Sequence, residues 1–111
     1  MITLESLKAW GANVGDGMTR CMNNEGFYLR LVDLAMKETG FEELAEALAK
    51  KDLKAGFEAA HKLKGVLANL GLTPILEPTS ALTELLRHET PGDYDAYLGE
   101  ILKQRDLLKA L

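Results

Sequence analysis

The imidazoles and thiols of this 111-residue sequence are three, His61, His88 and Cys21, and one of them stands in a setting suited to covalent chemistry. Lys64 follows His61 at i+3 and Gly65 follows it at i+4, the spacings at which side chains of one helix lie side by side. A neutral imidazole nitrogen is a good acceptor for a phosphoryl group, and free imidazole is mostly neutral near pH 7. The transferred group would carry nearly two negative charges, which the Lys64 ammonium could meet with a charge-assisted hydrogen bond. Gly65 completes the pattern. A glycine inside a helix costs about 1 kcal/mol relative to Ala, so its missing side chain answers either to a packed neighbour or to a partner that must come close.

Other chemistries find less support. Cys21 has no His or other activating partner near it in sequence and reads as a small buried hydrophobe. Neither histidine has a second His or Cys at i+3 or i+4, so the usual zinc spacings are missing. Glu58, three residues before His61, is at ligand spacing on one helix, but metal-carboxylate bundles repeat their Glu-x-x-His pattern and here it occurs once. No nucleophile elbow, Walker sequence or dinucleotide fingerprint is found, and the glycines before residue 26 follow no strand. Phosphoryl transfer remains possible without any of these, because it needs mainly positioning and charge neutralisation, and the metal ion can belong to a partner.

The elements that must position these residues read as helices. The chain has 21 Leu and 13 Ala against 3 Val and 3 Ile, a composition of helix formers that predicts an all-α fold. Short helices are expected over residues 4–22, the first from Leu4 to Trp10 and the second capped by Asp16. Longer ones follow at about 25–38, 41–50, 52–70, 79–89 and 93–110, the first two of these as separate helices or one bent element. Short connections between them imply an antiparallel four-helix bundle in a single domain, 1–111. Thr73-Pro74 and Pro78 mark a bent or broken connection before Thr79 or Ser80 caps the next helix. In the helix over 52–70, Leu53, Phe57, Ala60, Leu63, Leu67 and Leu70 form one apolar stripe that reads as core. At 100° per residue His61 lies roughly 110° from the centre of that stripe, at the edge of the buried face, and Gly65 turns away from the core toward solvent.

With 13 Lys and Arg against 17 Asp and Glu the net charge is −4, and no basic stripe offers a hold on a phosphate backbone, so nucleic acid is not an expected partner. No apolar run approaches the ~18 residues of a membrane span, and a single cysteine with no secretory signal fits a cytoplasmic protein. Met1 and the compact length point to a free-standing protein, and a monomer is expected.

Ala60-His61-Lys62-Leu63-Lys64-Gly65, continued by Asn69-Leu70-Gly71, resembles the signature of the histidine-containing phosphotransfer (HPt) domains of multistep two-component phosphorelays. In that signature His-x-Leu-Lys-Gly is followed by a Gly six residues later. The segment Arg20-Cys21-Met22 with Phe27, Tyr28 and Leu31 is similar to the helix that precedes the bundle in the same family, so the resemblance extends over essentially the whole chain. It implies a four-helix bundle in which His61 accepts a phosphoryl group from the aspartyl phosphate of a receiver domain and passes it to another receiver. Lys64 would stabilise the phosphoryl group and Gly65 would allow close approach. The chain would need no cofactor or metal of its own, with Mg2+ on the receiver, and would not be an independent enzyme. Its expected partners are response-regulator receiver domains or a hybrid sensor histidine kinase, docking near Lys54, Glu58, Lys62, Ala68 and Asn69, with the Asp16–Met22 segment beside them. The chain departs from the pattern in two places: Pro78 falls within the helix that follows the signature, and Thr83 stands where the family often has Glu. A kinked or delayed helix start is expected there. Two alternatives stay open, a docking module that keeps the helices but not the chemistry, and a His/carboxylate metal-binding bundle.

Overall fold

A computed structural model describes all residues from Met1 to Leu111 as seven α-helices without a strand. They are α1 (Leu4–Trp10), α2 (Val14–Arg20), α3 (Glu25–Met36), α4 (Gly40–Ala49), α5 (Leu53–Leu70), α6 (Thr73–Arg87) and α7 (Tyr94–Lys109). The all-α expectation is borne out. No helix is long and apolar enough to cross a membrane.

The longest helix, α5, is the one around which the others gather. It packs against α4 and α6 most extensively and also against α2 and α3, while α7 lies on α6 and reaches α4. Its ends are fixed by local chemistry. The Asp52 carboxylate accepts from the Ala55 amide 3.1 Å away, satisfying one of the amides the first turn leaves free. At the other end Gly71, with φ +66°, turns the chain in the left-handed region after Leu70. A side chain there would also run into the backbone carbonyl of Asn13, whose amide donates to the Gly71 carbonyl at 2.7 Å. The start of α2 is thereby tied to the end of α5.

The core forms where the faces of these helices meet. From α5 it takes Ala59, Ala60, Leu63, Leu67 and Leu70, joined by Tyr28 and Val32 of α3, Phe41 and Leu44 of α4, Ile75 and Leu82 of α6, and Ile101 and Leu108 of α7. Cys21 is buried with them, as a small hydrophobe should be. Two members of the expected α5 stripe behave differently, because Leu53 and Phe57 are only half-buried. Gly56 takes the buried position beside them, where an added Cβ would come 3.5 Å from both Leu48 and Leu86. At the far end the indole N–H of Trp10 donates to Gln104 at 3.0 Å, which closes α1 onto α7.

The helix expected from Thr79 begins six residues earlier, at Thr73, and runs through Pro78 to Arg87. Pro74 occupies the first turn, where a missing N–H costs nothing, and Pro78 withdraws one further hydrogen bond only a turn later. Burial of Leu72 and Ile75 anchors this turn on the core. Thr79 therefore does not cap. Its buried hydroxyl donates to the Ile75 carbonyl at 2.8 Å, and the Thr83 hydroxyl does the same to Thr79 at 2.7 Å. Likewise α2 is capped by Asn13, whose side chain accepts from the Asp16 amide, so the cap lies three residues before the expected one.

Candidate functional site

His61 lies in the middle of α5, with its side chain exposed. No hydrogen bond joins it to any group of the chain, and the protein's one histidine ion pair belongs to His88, which faces Glu84 at 3.7 Å. One contact orients the ring. The imidazole stacks on the phenyl ring of Phe57, one turn earlier, with centroids 5.5 Å apart and planes 18° from parallel. The guanidinium of Arg87, from the last turn of α6, lies over the same phenyl ring at 4.9 Å and is held by Glu84 at 3.4 Å.

Lys64 is half-buried at its stem and takes part in no ion pair within the chain, in contrast to the lysines at 37, 50 and 62. Gly65 is exposed, and a Cβ built on it would meet nothing within 4 Å. Its missing side chain therefore does not serve helix packing inside this molecule. The space above it is open, next to an unpaired cation and an imidazole with free nitrogens.

The residues singled out around His61 divide between two surfaces. Lys54 is exposed and Ala68 half-exposed along the same line of α5. Asn69 is exposed and accepts from Arg20 Nη1 at 3.4 Å; Arg20 in turn pairs with Asp16 at 3.2 Å, so α2 reaches the edge of the site. Glu58 and Lys62 lie on the same flank of α5 as Asn69, three and two turns before it, in a groove shared with Glu43, Glu46 and Lys50 of the α4 side. Lys62 also stands 4.0 Å from Glu38. Nowhere does a group of three His, Cys, Asp or Glu side chains gather around a common point.

Three features near the site were not singled out by sequence reasoning. Phe57 falls on the apolar stripe of α5 and so reads as core, although its i−4 spacing from His61 was the available signal. Arg87 comes from another helix and carries no local signal. The third is an apolar strip on α3, where Phe27 is 43% and Leu34 52% exposed. Leu31, Leu34, Val66 and Asn69 line a shallow depression between α3 and α5 that runs up to the edge of the His61 face.

Residues 34–111 match the family model of the Hpt domain, a stretch that holds α4 to α7 entire together with the end of α3. The chain belongs to the Hpt domain family. Hpt domains are helical phosphotransfer modules of two-component phosphorelays, and they work with receiver domains and kinases. The matched stretch contains the whole His61 signature, whereas α1, α2 and most of α3 precede it. No curated protein and no solved structure matches the chain.

Proposed function

We propose that this protein is a phosphorelay intermediate in which His61 accepts a phosphoryl group from the aspartyl phosphate of one receiver domain and delivers it to the aspartate of another. The observation that carries the reading is an exposed imidazole with both nitrogens free, beside an unpaired Lys64 and an unobstructed Gly65. In the first step a ring nitrogen lone pair forms the N–P bond while the P–O bond to the aspartyl carboxylate breaks, and the carboxylate leaves with the electron pair. The second receiver's carboxylate then attacks phosphorus, the N–P bond breaks, and the imidazole, its other nitrogen reprotonated from solvent, leaves as the neutral base. No acid or base from this chain is needed, because the leaving group in each step is stable as released. Lys64 meets the charge on the phosphoryl oxygens, Gly65 admits the edge of the receiver's site, and the magnesium ion stays with the receiver.

The receiver docks over the exposed line of Lys54, Gly65 and Ala68, and Asn69 at the edge continues that surface onto the apolar strip of Phe27, Leu31 and Leu34. An exposed apolar patch of this kind beside polar residues suits a transient protein partner. Glu58 and Lys62 border the surface on the α4 side. The bundle helices are taken to be α4 to α7, antiparallel to their neighbours, and the protein acts as a cytoplasmic monomer.

Incubation with a receiver domain, magnesium and a small phosphodonor tests the reading. An acid-labile, alkali-stable phosphate is expected on the wild-type protein and none on His61→Gln, while Lys64→Ala takes the label more slowly. Failure of every competent receiver to label the wild-type chain would sink the proposal.

A further inference from the structure

We infer that Phe57 is a positioning residue for His61: its phenyl ring, stacked on the imidazole and backed by Arg87 of α6, sets the plane in which the ring nitrogens meet phosphorus. The inference rests on the phosphotransfer reading of His61 and adds to it a residue outside the signature.

Helix geometry makes the contact. Side chains of a helix lean toward its N-terminus, so the imidazole at 61 comes down over the residue one turn before it. The observed centroid distance of 5.5 Å at an interplanar angle of 18° falls in the range of offset stacking. A reacting histidine is ordinarily oriented by a hydrogen bond from one ring nitrogen to a carboxylate or carbonyl. His61 has no such bond, and the stack is the contact left to orient it.

A face contact suits this nucleophile better than an edge contact would. The lone pair that attacks phosphorus lies in the ring plane, so a neighbour on the ring face fixes the plane while both nitrogens stay free. Phosphorylation makes the ring an imidazolium until the second nitrogen loses its proton, and a phenyl face is a favourable neighbour for that cation. The phenyl ring is itself restrained. Phe57 is half-buried against the core, and Arg87 lies 4.9 Å over its ring. The plane of the imidazole is thereby referred to α6 as well as to its own helix.

The test uses the full chain with Phe57→Leu, which keeps an apolar side chain without a ring, and Phe57→Tyr, which keeps the ring. In NMR spectra of the unphosphorylated protein the unstacked His88 serves as reference. The His61 ring protons are expected upfield of those of His88 in wild type and Phe57→Tyr, and beside them in Phe57→Leu. In transfer from a phosphorylated receiver, Phe57→Leu is expected to lower the maximal rate about tenfold and to leave the half-saturating receiver concentration unchanged, while Phe57→Tyr stays within about twofold of wild type. An unchanged maximal rate in Phe57→Leu, or a loss confined to the half-saturating concentration, overturns the inference with the phosphotransfer reading intact. An unlabelled wild-type chain overturns both. Should Phe57→Leu loosen the fold, Arg87→Gln at its exposed position decides: a smaller loss of maximal rate with a partial downfield return supports the inference, and wild-type values in both measurements overturn it.

Discussion

Gly65 sets stability against approach at a single position. It stands in the interior of α5 with nothing within 4 Å of a built Cβ, so Gly65→Ala should gain the helix propensity of Ala at no steric cost. The expected gain is about 1 kcal/mol, seen as a rise of roughly 4 °C or more in the thermal midpoint. Transfer from a receiver should slow severalfold in the same variant, because the methyl group stands where the partner closes. A variant that is both more stable and as fast would show that the space is unused. At this scale the sequence was informative where helical spacing carries the meaning: His61, Lys64 and Gly65 share a flank because they are three and four residues apart. It was uninformative for Phe57, since a phenylalanine on an apolar stripe looks the same whether it fills the core or stacks on an imidazole at its margin.

Among the elements, the junction of α2, α3 and α5 holds the C-terminal end of the histidine helix in place. The Tyr28 hydroxyl donates to the Leu70 carbonyl at 2.8 Å in a buried position, satisfying an acceptor that the last turn of α5 leaves open. Gly17 leaves room for that contact, for a Cβ there would lie 2.5 Å from the Tyr28 ring and 2.6 Å from the Leu70 oxygen. Burial pushes the Tyr28 phenol above its ordinary range, and the nearby Cys21 adds to the effect. The unfolded chain releases this proton near pH ~10 while the folded chain keeps it. The contribution is thus whole below about pH 10 and lost as pH rises through the folded value. Urea midpoints measured from pH 8 upward should fall on the alkaline side, and less steeply in Tyr28→Phe, which is also about 1–2 kcal/mol less stable at pH 7 for want of a donor to Leu70. An equally steep alkaline fall in Tyr28→Phe would assign that fall to other groups. This junction was hard to read beforehand because glycines, asparagines and a left-handed turn look like loop chemistry when their partners are far along the chain. The early start of α6 was missed for a related reason: two prolines argue locally against a helix, and the burial of Leu72 and Ile75 that outweighs them is a tertiary effect.

The whole molecule, 39 × 24 × 20 Å across, presents different chemistry at the two ends of one flank of α5. Beside the first half of α5 lies the charged groove of Glu43, Glu46, Lys50, Glu58 and Lys62, and beside its last turns the depression that leads past Asn69 to the exposed Phe27 and Leu34. If the receiver docks across the apolar depression, Leu34→Asp should raise the half-saturating receiver concentration severalfold, with little change in maximal rate. Its stability should stay within about 0.5 kcal/mol of wild type, as for other exposed positions. Unchanged docking would move the interface away from the apolar depression, toward the charged groove. The all-α class was legible from composition, but this asymmetry was not, because Phe27, Leu31 and Leu34 belong to an apolar face whose outer edge only the packing of α3 on α5 reveals. The free imidazole of His61 has a consequence for energy flow on the proposed reading. Loading it severs no internal hydrogen bond and unloading it restores none, so the breaking of such a bond takes nothing from the driving force. On that reading the direction of net flow would follow the relative abundance of charged and empty receivers on either side.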